Sequence, residues 1–266
     1  MIVLENEFLK VDCEERFGGR ITSLKQQKGI EWLAQPHGPL IDRNIYDSYI
    51  RPEMAGWDEM LPTTDQCRAQ DGTLLPDHGE VWSKNWKVLV RDSQMLALEV
   101  SLTTRPLQLA RTISLSDDRI NLHYLIKNIG EAPTPVFWSA HPMISGRHIT
   151  KVLLPSQSPV LESLIPGDYP QGSSAEYWWP PKQSNNSISI IRESAEFLQI
   201  SWNLDEIPYF GIFLDNGEFC QEPVISPQPA IAHKVSELAA CLSGNINYLN
   251  PNSERVFSLE TKLGWL

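Results

Sequence analysis

Three short stretches of this chain join a proton-transfer side chain to a break in regular structure. The densest is Pro76-Asp77-His78-Gly79-Glu80-Val81-Trp82, with one histidine, two carboxylates and an indole in seven residues. His141 lies in Ser139-Ala140-His141-Pro142, and Glu222 in Cys220-Gln221-Glu222-Pro223. Imidazole titrates at about 6.5, so it can hold or release a proton near neutrality. A carboxylate becomes a competent base when burial lifts its pKa. His141 and Glu222 each follow an apolar run and precede a proline, which stops a strand and favours extended backbone before it. A side chain so placed can reach a cleft from a fixed backbone. Upstream, Gly56-Trp57-Asp58-Glu59-Met60-Leu61-Pro62-Thr63 is equally dense in acids and aromatics. Lacking helical or strand periodicity, it reads with the His78 stretch as loop, where binding groups concentrate. Each histidine alone also fits a structural role, and Glu222 alone fits a solvated charge.

The elements that would position these groups read as strands. Trp86 to Val90, Met95 to Leu102, Leu107 to Leu115 and Ile120 to Ile126 are apolar-rich runs joined at short polar turns, a series of hairpins. In the last run Ile120, Leu122, Tyr124 and Ile126 share a face. Further runs are Ser187 to Ile191, Phe197 to Trp202, Tyr209 to Leu214, Glu218 to Gln221, Glu237 to Leu242 and Arg255 to Leu263. The segments 35–76 and 156–186 read as long irregular excursions. With 20 prolines and no long 3.6-residue periodicity, the chain is predicted to be all-β, a sandwich or barrel. No repeat or linker divides it, so one domain over 1–266 is expected.

Composition narrows the partners. The net charge is −11, from 22 basic and 33 acidic residues without a basic run, which argues against nucleic acid or an anionic membrane. Cys13, Cys67, Cys220 and Cys241 are too scattered for a zinc site and fit reduced thiols in the cytoplasm. No apolar run approaches the roughly 20 residues that span a bilayer. No metal-ligand spacing, nucleophile elbow or phosphate-cradling loop is present, so no cofactor or metal is expected.

The motifs together resemble the aldose 1-epimerase, or galactose mutarotase-like, superfamily. Gly18-Gly19-Arg20-Ile21-Thr22-Ser23-Leu24, the Gly56–Thr63 stretch, Pro76-Asp77-His78-Gly79-Glu80, Phe137-Trp138-Ser139-Ala140-His141-Pro142 and Gln221-Glu222-Pro223 follow that family's order and span most of the chain. The resemblance implies a large antiparallel β-sandwich of the supersandwich type, with a sugar cleft on one concave face. It implies cofactor-free interconversion of the α and β anomers of an aldose. Glu222 is similar to the family's general base at the C1 hydroxyl, His141 resembles the acid at the ring oxygen, and His78 resembles the histidine that orients the sugar. Arg51 and, less closely, Asp58 and Arg20 are candidates for holding sugar hydroxyls, and Trp57 and Trp82 for stacking on the ring. For any one tryptophan, burial is the plainer reading.

Two alternatives stand beside this one. A mutarotase for a hexose 6-phosphate or another acidic sugar would need arginines such as Arg43, Arg51 and Arg147 at the cleft. A non-catalytic carbohydrate-binding module would keep the fold without turnover.

Overall fold

A computed structural model describes residues 1–50 and 55–266, and Arg51 lies outside them. Strands with one apolar residue in two pair into two large antiparallel sheets. The first has nine strands: Ile2–Glu5, Leu9–Glu14, Arg20–Gln26, Trp57–Met60, Ser139–Pro142, Val224–Ala230, Tyr209–Asn216 and Ser173–Trp178 in spatial order, with Ile144–Ser145 also pairing Val224–Ala230. The second has eight: Ile149–Leu153, Ser187–Arg192, Glu196–Trp202, Glu254–Trp265, Arg119–Asn128, Leu107–Ser116, Met95–Ser101 and Lys87–Arg91. The hairpins expected between 86 and 126 are the edge half of this second sheet.

Alternation makes the core. Leu96 and Leu98, Leu107 and Leu109, Ile120, Leu122 and Tyr124, and Leu198 and Ile200 turn inward from the eight-stranded sheet. They join one apolar cluster with Leu4, Val11, Leu24, Phe210, Ile212 and Ile225 of the nine-stranded sheet and with Trp138, just before the Ser139–Pro142 strand. Burying one face of each sheet against the other is what an antiparallel sandwich requires.

Several expected boundaries move. Gly56–Thr63, read as loop, contains the four-residue central strand Trp57–Met60, buried throughout. His141 sits inside the strand Ser139–Pro142 rather than after it. The 156–186 excursion carries the edge strand Ser173–Trp178. Glu218–Gln221 is not a strand; the chain pairs instead over Val224–Ala230. Glu237–Ser243 is a helix, with the Ser236 side chain accepting from the Ala239 amide and Gly244 closing it in the left-handed conformation. Among the described residues no helix is long and apolar enough to cross a membrane.

Candidate functional site

Register brings the first two site residues together. In the pairing of Ser139–Pro142 with Trp57–Met60, His141 lies directly opposite Asp58. His141 Nδ1 is 3.0 Å from Asp58 Oδ1, and both residues are almost wholly buried. Arg20 Nη2, from the next strand, donates to Asp58 Oδ2 at 2.9 Å. The Tyr49 hydroxyl donates to Asp58 Oδ2 at 3.0 Å and also stands 3.0 Å from His141 Nδ1. Because Asp58 is held as an acceptor by these donors, the proton on neutral His141 belongs on Nδ1, and Nε2 keeps the lone pair.

The His78 loop closes over this group. His78 adopts φ 57°, a left-handed conformation that a residue with a β-carbon adopts at a cost. The loop is fixed by its neighbours. Gly79, φ 71°, passes so close to Leu61 that a β-carbon there would stand 2.2 Å from the Leu61 carbonyl oxygen. Trp82 Nε1 donates to the Gly79 carbonyl at 2.9 Å. The buried Glu80 carboxylate accepts from the backbone amides of Thr103 and Thr104, both at 2.8 Å. So held, the His78 imidazole stacks on the Tyr49 ring at 4.0 Å and 5°, its centroid 5.1 Å from that of His141. Its Nδ1 lies 3.0 Å from Asp77 Oδ1.

Both imidazoles line a cleft of about 170 Å³. Gln228 and Phe213 reach into it from neighbouring strands, Glu176 from the edge strand, and Asp65 from the 61–79 region. No arginine or lysine is among its described lining residues. Burial pushes the His141 pKa down, and the Asp58 hydrogen bond and charge only partly restore it. For Asp58 burial acts upward, but Arg20, His141 and Tyr49 together outweigh it and leave the carboxyl below its usual range. Burial raises Asp65 and Glu176. Glu176 has a large accessible area, yet the cleft walls remove enough water from its carboxyl to shift it; its one side-chain donor is Trp178 Nε1 at 2.9 Å. Among the described residues no three potential metal ligands converge.

The remaining sequence candidates fall elsewhere. Glu222 does not face His141. Ser139 pairs with Ala230 and Ile144 with Ile225, a register that sets Gln228 opposite His141. Gln228 lies four strand residues, roughly 13 Å, beyond Val224 at the strand's start, and Glu222 precedes Val224 by two residues in a bend. It accepts from Ser145 Oγ at 3.0 Å, pairs with Arg147 Nε at 2.6 Å, and lines a second cleft that shares no described residue with the first. Trp57 and Trp82 are 1% and 3% exposed, so neither offers a face to a sugar; they anchor strand and loop. Asp58 is turned to Arg20, Tyr49 and His141 and positions the histidine rather than touching the cleft. Arg43 covers the Trp82 ring and donates to the Ser48 carbonyl. Neither it nor Arg147 lines the histidine cleft.

Sequence reasoning missed Tyr49, Glu176 and Gln228. Tyr49 and Glu176 lie in segments without periodicity. For Gln228 a signal existed, since Ser226 and Gln228 alternate with Pro227 and Pro229, a two-residue period that the prolines obscured.

No protein-family model and no curated protein sequence matches the chain. Solved structures match it over nearly its whole length. The Slr1438 protein of Synechocystis sp. PCC 6803 superposes with a TM-score of 0.78 at 15% identity, over 99% of this chain and 95% of that one. A protein of Escherichia coli K12 provisionally named an aldose 1-epimerase gives 0.77 at 13%, over 100% and 99%. A galactose mutarotase-like protein of Lactobacillus casei ATCC 334 gives 0.72 at 16%, over 99% and 100%. The architecture is thus the galactose mutarotase-like β-sandwich. Its neighbours in structure are galactose mutarotase-like and aldose 1-epimerase-type proteins.

Proposed function

We propose that the chain works as one domain that interconverts the anomers of an uncharged aldose in the His78–His141 cleft. The observation that carries this reading is the pair of imidazoles, 5.1 Å apart, lining one open cleft together with the carboxyl groups of Asp65, Asp77 and Glu176. Three strand spacings, roughly 14 Å of backbone, separate the His141 strand from the Glu176 strand, and side chains from both narrow this toward the width of a pyranose. Neutral His141, with its lone pair on Nε2, takes the proton from the C1 hydroxyl. The Glu176 carboxyl, its pKa raised, gives a proton to the ring oxygen. The C1–O5 bond breaks as C1=O1 forms, leaving the open aldehyde, an imidazolium and a carboxylate. After rotation about C1–C2, reclosure returns both protons. His78, fixed by Tyr49 and Asp77, orients the sugar. These roles differ from those implied by the family resemblance, because Glu222 is remote and burial favours neutral His141.

The expected result is that purified protein hastens the relaxation of freshly dissolved α-D-glucose or α-D-galactose in a polarimeter, with the same final rotation. His141→Asn and Glu176→Gln should each remove most of that acceleration. Full rates in either folded variant would reject the assignment.

One observation favours a second reading. The residue opposite His141 is an amide, Gln228, and the carboxylate that the family resemblance casts as base lies in the other cleft. A binding module would show saturable sugar binding with no change in relaxation rate.

A further inference from the structure

The second cleft, independent of the mutarotase reading, is built around a buried cation. Arg192 ends the strand Ser187–Arg192, and only 3% of it is exposed. Its guanidinium lies over the Trp32 ring at 3.9 Å, and Nη2 donates to the Glu31 carbonyl at 2.8 Å. Among the described residues Nε and Nη1 have no acceptor. Buried donors without acceptors are rare and costly, more so on a charged group. Burial lowers the Arg192 pKa despite the nearby carboxylates of Glu196, Glu31 and Glu222.

The cleft that Arg192 lines measures about 450 Å³ and also carries Arg147, His37 and His148, the last with its Nδ1 already paired to Glu193. Arg147 is 62% exposed and meets Glu222 through Nε at 2.6 Å. The carboxylates of the cleft are already engaged. Glu31 accepts from the Leu24 and Leu33 amides and from Ser23, and Glu222 from Ser145 and Arg147. An incoming anion therefore meets Glu31 with both oxygens engaged, whereas at Glu222 Ser145 and Arg147 share Oε2.

We propose that this cleft is a binding site for a small phosphorylated molecule, its phosphoryl group seated between Arg192 and Arg147. A carboxylate presents two coplanar oxygens to a single guanidinium fork. A phosphoryl dianion presents three oxygens in different directions and so answers two guanidinium groups and an imidazole together. The volume exceeds what a bare phosphate fills, and Ile30, Leu33 and Pro36 supply an apolar wall for an organic part.

Isothermal titration of the whole protein tests this, with inorganic phosphate and phenyl phosphate as probes and acetate as control. Phenyl phosphate should bind saturably and more tightly than inorganic phosphate, and acetate more weakly than either. Arg147→Ala and Arg192→Lys should each weaken phenyl phosphate binding about tenfold or more, the loss expected for a charge-assisted hydrogen bond. His141→Asn should leave that binding unchanged, and Arg147→Ala should leave sugar mutarotation unchanged. Arg147 is surface-exposed, so its variant remains informative even where Arg192→Lys fails to fold. Absence of saturable binding, or binding that Arg147→Ala does not weaken, would overturn the site. Equal affinity for the two phosphates would overturn the organic part. Loss of phenyl phosphate binding in His141→Asn would place the phosphate in the sugar cleft instead.

Discussion

Asp58→Asn separates positioning from chemistry. Asp58 holds Arg20, Tyr49 and His141 at 2.9, 3.0 and 3.0 Å, all out of water. The amide keeps the shape and still offers Tyr49 an oxygen, but it removes one negative charge facing Arg20. Breaking a buried ion pair costs about 3–5 kcal/mol, and retention of the Tyr49 contact argues for the lower end. For 266 residues an unfolding entropy of about 2.1 cal/mol/K per residue turns about 3 kcal/mol into a melting-temperature drop of roughly 5 °C. The second effect falls on His141. Asp58 raises the pKa of this imidazole through its hydrogen bond and its charge, against burial, so its removal should drive the pKa lower still. The amide NH₂, facing Nδ1, would also favour the tautomer that carries its proton on Nε2 and so remove the lone pair proposed to act at the cleft. Mutarotation should then fall by about 10²–10⁴-fold, the span of a lost acid–base group. Histidine NMR titration of wild type and variant reads the pKa and tautomer, urea unfolding the stability, and polarimetry the rate. A folded variant in which His141 titrates unchanged or higher would refute the coupling, whatever the rate does.

Four further outcomes are expected. His141 has a folded pKa below its unfolded value of about 6.5, so the unfolded state binds more protons below that pH; stability is full above about 6.5 and falls as pH drops. His233, also pushed down by burial, acts in the same direction. Urea midpoints between pH 7 and 5 should therefore fall less steeply in His141→Asn than in wild type. Gln228→Glu sets a carboxylate opposite His141 and should raise its NMR titration midpoint; an unmoved midpoint would mean the side chain does not face the ring. Mutarotation should fall away on both sides of a pH optimum, the acid limb arising as His141 protonates and the alkaline limb as Glu176 ionises; a rate still rising on the alkaline side would remove Glu176 as the acid. Glu59→Leu should cost about 3–5 kcal/mol in urea unfolding by stranding Arg111, while Glu59→Leu with Arg111→Leu together should cost much less.

Much of the scaffold was legible because alternation is a local signal. Ile120, Leu122, Tyr124 and Ile126 announce their strand and its buried face, and the ordered motifs announce the sandwich. His78 and His141 were legible as a pair only through that order, since 63 positions separate them. The central strands were hidden for physical reasons. Trp57–Met60 is buried on both faces and so shows no alternation, and its two consecutive acids look like solvent-facing text. Val224–Ala230 carries Pro227 and Pro229, which argue against an interior strand. Both prolines occupy the same parity, and both pair across to Tyr209–Asn216. Their missing N–H groups therefore belong on the side toward Ser139–Pro142, where the pairing reduces to Ser139 with Ala230. Glu222 misled because a Glu-Pro pair after an apolar run looks like a strand-end acid at a cleft. It does line a cleft, but not the one that His141 lines, six residues of register away.

The cleft and the core meet in one dipeptide. Asp58 and Glu59 are adjacent on a strand, so their side chains leave on opposite faces of the sheet. Asp58 reaches His141 on the cleft side. Glu59 points inward to Arg111 Nη1 at 2.9 Å, the Tyr124 hydroxyl at 2.9 Å and Trp138 Nε1 at 3.0 Å. Arg111 belongs to the eight-stranded sheet, and it also donates to the Gly19 carbonyl, at the turn leading into the Arg20 strand. Two buried carboxylates on adjacent residues would be prohibitive without an arginine for each, and even beside Arg111 burial lifts the Glu59 pKa to about 7. Each is supplied from a different place: Arg20 from the same sheet, Arg111 from the opposite one. The arrangement pins Trp57–Met60 in register, because a one-residue slip would turn Asp58 toward Arg111 and Glu59 toward His141, exchanging a short side chain for a long one on both faces. The core pair therefore helps set the position of His141. Glu59→Leu with Arg111→Leu, expected to recover much of the stability, should still loosen His141. Broadened or doubled His141 NMR signals in that stable double variant would show the coupling, and a single sharp signal at the wild-type position would show that Arg20 and Tyr49 fix the register alone.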